Sequence, residues 1–158
     1  MTTHAKAAPR GALVLFLSLT VFCSALTACR SLFGGRLPFQ VAIAPDANND
    51  SAIAVDVVVV YDAKLADEML KLRAADWFDA KQKRQFLADH AGKVRVQGFE
   101  WVPDQRVDER AVQYEAGARK VIIFASYLTE GDHRAAIDPR QPFRLILANA
   151  DFRVEQLR

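Results

Sequence analysis

The segment Ile53–Tyr61, IAVDVVVVY, constrains this chain more than any other. Ile53, Val55, Val57, Val59 and Tyr61 alternate onto one face of a strand, while Ala54, Val58 and Val60 make most of the other face apolar too. Such a strand needs cover on both sides, which predicts a central strand between two further layers. The chain has 158 residues, 51% of them apolar, which is material for one packed domain and excludes a disordered chain.

The same period of two recurs along the body. Phe39, Val41 and Ile43 alternate with Gln40, Ala42 and Ala44. Val94 and Val96 lead to Phe99 and Trp101, with the apolar parity shifting at Gly98, a pattern that predicts a β-bulge. Val112 and Tyr114 mark a short strand, Lys120–Leu128 a second buried one, and Phe143, Leu145 and Leu147 another. Phe152 and Val154 form a half-exposed last strand after a hairpin turn at 149–151.

Between the Val-rich strand and Val94 the period changes to that of helices. Leu65, Met69 and Leu72 make a helical stripe, and Asp76 is positioned to cap a second helix, Trp77–His90, that stops at Gly92. Lys81, Lys83 and Arg84 are expected in solvent, with Asp79 four residues before Lys83. The expected fold is therefore mainly β: an antiparallel β-sandwich of about seven strands over residues 37–158, with a helical insert at 63–91.

The N-terminus reads as an address. Met1–Arg10 is polar and basic, and Gly11–Ala25 is apolar and uncharged but shorter than the ~20 residues of a bilayer-spanning helix. This is the pattern of a secretory signal peptide, residues 1–28. Leu26, Thr27, Ala28 and Cys29 resemble a bacterial lipobox. That resemblance implies cleavage before Cys29 and its acylation, followed by a tether over residues 29–36. Several acyl chains, at ~0.8 kcal/mol per buried CH₂, hold a protein to a membrane where one chain does not. Arg30 replaces the Asp associated with inner-membrane retention, which implies an outer-membrane anchor and a body facing the periplasm. The competing reading is an uncleaved membrane helix with Cys29 a free thiol.

Charge and chemistry exclude several classes. Lys6 and Arg10 are the only charges in residues 1–28, so the remainder balances at zero and lacks the basic footprint of a nucleic-acid binder. The two cysteines, Cys23 and Cys29, leave no disulfide framework for the body. No G-x-S-x-G, S-x-x-K or Gly-rich phosphate loop occurs. His90 and His133 lack the close spacing of a zinc site, and Gly131–Arg134 reads as a polar turn. Asp56 and Asp62 make a carboxylate pair in name, but both are expected to face solvent. Trp77 and Phe78 are expected to pack the insert on the sandwich. No catalytic residue, metal site or cofactor is assigned.

The order of parts carries a resemblance. A lipobox, one strand, the Asn/Asp-rich loop PDANNDS, the Val-rich strand ending in Tyr-Asp, helices with AADWF, then WVPDQ and KVIIFASYL together resemble the TssJ family, outer-membrane lipoproteins of the type VI secretion membrane complex. The resemblance implies a transthyretin-like sandwich and a non-enzymatic role: holding the periplasmic domain of a TssM-like inner-membrane protein. It also implies that the loop after the first strand, with Pro45, Asp46, Asn48, Asn49 and Asp50, touches that partner. Where the family has Pro-Gly before its later strands, this chain has Pro103-Asp104. Other readings stay open: an accessory or pilotin-like lipoprotein of another envelope assembly, a small-ligand-binding periplasmic lipoprotein, or a lipid-anchored enzyme.

Overall fold

A computed structural model describes residues 34–157. The signal segment, Leu26, Thr27, Ala28 and Cys29 lie outside the described residues. Eight strands are present: β1 (Gly35–Ile43), β2 (Ile53–Val60), β3 (Val94–Trp101), β4 (Arg110–Tyr114), β5 (Lys120–Ala125), β6 (Arg134–Ile137), β7 (Phe143–Leu147) and β8 (Phe152–Gln156). Three short helices, α1 (Ala63–Met69), α2 (Ala74–Phe78) and α3 (Ala80–Asp89), fall between β2 and β3. The strands form two four-stranded sheets, ordered β4-β1-β7-β8 and β3-β2-β5-β6.

β2 occupies the interior position its composition demands. Ile53, Val55, Val57 and Val59 face the other sheet and pack with Phe39, Ile123, Phe143 and Leu145. Val58 and Val60 face the insert and pack with Leu65, Met69, Trp77 and Phe124. The sandwich and its insert thus bury one apolar layer on each face of the same sheet.

Several details differ from the sequence reading. β1 begins at Gly35, so two residues of the expected tether are strand, paired with Tyr114 and Gln113. β1 changes neighbours at Phe39, from antiparallel β4 to parallel β7, so one strand pair of the sandwich is parallel. Pro38 lies in the half of β1 that has β4 alone beside it, where a missing N–H is tolerated. The strand β6 adds an eighth, and β5 ends at Ala125 rather than Leu128.

No bulge interrupts β3. Its register with β2 is continuous from Ile53↔Trp101 to Val60↔Val94. The parity shift has another cause: the strand is covered by different layers along its length. Val94 and Val96 pack under the helices, whereas Phe99 and Trp101 pack into the inter-sheet core. Gly98 lies between, opposite Asp56. A Cβ there would meet the Asp56 carboxylate at 3.0 Å, so the glycine makes room for a charge.

The insert is also divided more finely than expected. Asp62 caps α1, accepting the Leu65 N–H at 3.0 Å. Asp79, not Asp76, caps α3, through the Lys81 and Gln82 N–H groups at 3.0 and 2.8 Å. Asp76 instead pairs with Arg73 at the start of α2.

Candidate interaction surface

Four connections meet at one end of the sandwich: 44–52 after β1, 102–109 after β3, 126–133 after β5 and 148–151 after β7. Gly34, the first described residue, enters at the opposite end. The nine residues of β1 separate the two by about 30 Å at ~3.3 Å per residue.

The 44–52 connection has an unusual backbone. Asn48, Asn49 and Asp50 take φ values of 50°, 52° and 59°, three left-handed residues in succession. Asn and Asp enter this region at less penalty than other side chains, but a run of three persists only when its surroundings over-determine it. Asn48 supplies that constraint. It is 2% exposed. Its Nδ2 donates to the Ala52 carbonyl at 2.9 Å, its Oδ1 accepts the Leu128 N–H at 2.7 Å, and its own N–H donates to the Ala148 carbonyl at 3.1 Å. One buried asparagine thereby joins three of the four connections.

The five residues expected at a partner contact are thus separated by role. Pro45, Asp46, Asn49 and Asp50 are exposed, and Asn48 is a buried structural residue. The apolar surface that no sequence pattern located is also here. Among the described residues, the large hydrophobics that stand out in solvent are Leu128, 68% exposed, and Val102, 52% exposed. They sit on either side of the loop: Leu128 is bonded to Asn48, and the turn after Val102 reaches Ala44 through the Asp104 N–H. In that turn the Gln105 N–H donates to the Val102 carbonyl at 3.2 Å, and Asp104 takes φ 55°. Aspartate therefore holds the left-handed turn position at which the Pro-Gly pattern has glycine.

His133 anchors the 126–133 connection. It is buried, where the sequence suggested only a polar turn. Nδ1 lies 2.9 Å from Asp151 Oδ1 and Nε2 lies 2.9 Å from the Thr129 carbonyl, while the ring stacks on Tyr127 at 4.9 Å. The Thr129 hydroxyl donates to the Ala150 carbonyl at 2.6 Å. The Tyr127 hydroxyl is buried without a hydrogen-bond partner, and burial pushes its pKa far above the usual phenol range.

Beside this end, a groove of about 700 Å³ opens between α2 and the 126–133 connection. Its polar lining is largely engaged elsewhere. Arg73 bonds Asp76, Asp79 caps α3, Asp132 pairs with Arg134 at 3.0 Å, and His133 is held as described.

The other sequence candidates are not brought together. Asp56 lies beneath the insert, 5% exposed, rather than in solvent. It accepts the Trp77 indole N–H at 2.7 Å and pairs with Lys83, the lysine expected to be solvated. Trp77 stacks on Phe124 at 5.0 Å, packing the insert on the sheet as expected. Asp62 is a half-buried helix cap, 3.7 Å from Lys93, and the Leu65 N–H holds its carboxyl below the usual range. Among the described residues, no group of three or more His, Cys, Asp or Glu is placed to hold a metal ion.

The architecture, two sheets with helices between the second and third strands, is similar to that of solved type VI secretion lipoproteins. The chain is similar to the crystal structure of the T6SS lipoprotein TssJ1 from Pseudomonas aeruginosa, at 13% identity and a TM-score of 0.57, covering 79% of this chain and 98% of that one. It is similar to Serratia marcescens Lip, a membrane-bound component of the type VI secretion system, at 13% identity, TM-score 0.54 and coverage of 79% and 99%. A chain from a type VI membrane complex matches at 12% identity, TM-score 0.51 and coverage of 78% and 98%. At these identities the likeness is one of fold: this chain has the TssJ fold. No family model matches the sequence, and no curated protein matches it.

Proposed function

We propose that this chain is a divergent TssJ-like lipoprotein of a type VI secretion membrane complex. In this reading Cys29 carries the acyl anchor in the outer membrane, and the sandwich extends into the periplasm. Its far end holds the periplasmic domain of a TssM-like inner-membrane protein. The role is structural and needs no catalytic group or cofactor.

The observation that carries the reading is the TssJ fold, matched over nearly the whole of the related structures. Two features support it. The lipobox-like Leu26–Cys29 stands just before the sandwich, and the knitted loops lie at the end opposite chain entry. A rigid loop end is a surface suited to protein recognition.

Two measurements test it. Mass spectrometry of the membrane-extracted protein should find a chain beginning at Cys29 with added acyl mass; an intact Met1–Arg158 chain in the membrane contradicts the anchor. Calorimetry of the mature lipoprotein in lipid nanodiscs against the TssM periplasmic domain of the same organism should show saturable binding. Absence of heat and of co-migration contradicts the assignment.

The groove beside α2 favours a second reading, a small-ligand-binding lipoprotein. Its engaged polar groups leave little to orient a ligand. A ligand that raises the melting temperature of the wild type, but not of Phe78→Glu, would support this reading over the first.

A further inference from the structure

The two ends of the sandwich differ sharply in charge. The four connections at the loop end carry eight carboxylates and one cation, Arg106. The segments at the other end, 61–62, 90–93, 115–119 and 138–142, carry three acids and three bases. The charge of the neutral body is therefore polarised along its length. Asp46, Asp50, Asp104 and Glu130 are exposed, and they surround the end that presents Leu128 and Val102 to solvent.

Resting on the TssJ-like reading, we infer that the loop end docks a basic face of the TssM-like periplasmic domain, with Leu128 and Val102 entering apolar recesses on it. Each component has a distinct task. An acidic rim accelerates encounter with a basic partner and rejects acidic ones. It adds little binding energy, because exposed ion pairs are screened by water and salt. The apolar pair supplies the desolvated centre that slows dissociation. The left-handed run pinned by Asn48 fixes the loop before the partner arrives, so little ordering entropy is lost on docking. The loop hydrogen bonds alone are too weak for stable attachment, and Leu128 and Val102 provide the apolar contact they lack.

The test is a kinetic one, with the mature lipoprotein in nanodiscs and the partner domain in solution. The association rate should fall at least about tenfold between low and physiological-to-high salt. Asp46→Lys, Asp108→Lys and Glu130→Lys together, all exposed and outside the left-handed positions, should lower it by a similar factor at low salt, and the reversal Glu115→Lys at the opposite end should not. Leu128→Ser and Val102→Ser should each leave association unchanged and speed dissociation, together about tenfold or more. Circular dichroism of each variant confirms the fold, and Glu130→Gln gives a milder version of the charge change. A salt-independent association rate, or wild-type kinetics in the loop-end variants while the wild type binds, overturns this surface and leaves the TssJ-like reading standing. Failure of the unaltered lipoprotein to bind overturns both.

Discussion

The end at which the chain enters and the end that carries the loops are made from the same strands but held by different means. At the entry end, most connections are closed by local devices, with the Tyr61 hydroxyl, which accepts the Glu115 N–H at 3.0 Å, reaching across the sequence. Asp62 caps α1, Gly117 turns at φ 89°, and Asp138 bonds Arg140 two residues on. At the loop end, closure depends on side chains that reach across the sequence: Asn48 to Leu128, His133 to Asp151, and Asn149 to the Asp46 carbonyl. Local closure needs few residues and leaves a neutral, unspecialised surface. Cross-linked closure holds a strained, acidic, partly apolar surface in one shape.

The comparison is broken most directly at Asn48. Asn48→Ala leaves the Leu128 N–H and the Ala52 carbonyl without partners, so urea denaturation should show a loss of about 2–4 kcal/mol. A loss below about 0.5 kcal/mol would mean that the loops are not pinned by this residue. The entry-end counterpart is Gly117→Ala, where positive φ rather than a contact is at issue, since nothing lies within 4 Å of the added Cβ. Its expected loss is about 1–2 kcal/mol. Within the strained loop, Asn49→Ala should destabilise by about 1 kcal/mol while Asn49→Gly stays near neutral, because only the first meets the left-handed penalty.

The smallest effect belongs to the entry-end ion pair. The Arg140 guanidinium holds the Asp138 carboxyl below the usual carboxylate range. A folded pKa below the unfolded one stabilises the fold above about pH 4, and that contribution is lost as pH falls through the folded value. Asp138→Asn should therefore lower the melting temperature slightly at pH 7, and the difference should vanish in strong acid. A difference that grows with acidity would reverse the sign of this account.

What could be read from the sequence was what repeats locally. β2 and β5 were legible because alternation and β-branching mark a two-faced buried strand. β6 was not: Arg134, Ala135, Ala136 and Ile137 form a four-residue edge strand with a single large apolar side chain. The parity shift at Gly98 was visible but misread, because a period argument assumes one covering layer and β3 has two. Asp56 was visible as a charge in a valine run, but its partners Trp77 and Lys83 stand 21 and 27 residues away. The same limit applies to the surface. Composition marked the stretch 45–51 as a loop, yet nothing in the string Asn48-Asn49-Asp50 separates the buried pin from its exposed neighbours. Leu128 has the pattern of a strand end, but β5 stops at Ala125 and the chain bends at Leu128, which stands in solvent.

The central claim is that the loop end, and not the entry end or a sheet edge, is the working surface. Hydrogen-exchange mass spectrometry of the protein, alone and saturated with the proposed TssM-like domain, tests it directly. The account predicts new protection over 44–52, 102–109 and 126–133, with 90–93, 115–119 and 138–142 unchanged. Protection confined to the entry-end segments, or to the edge strands β3, β4, β6 and β8, would contradict it.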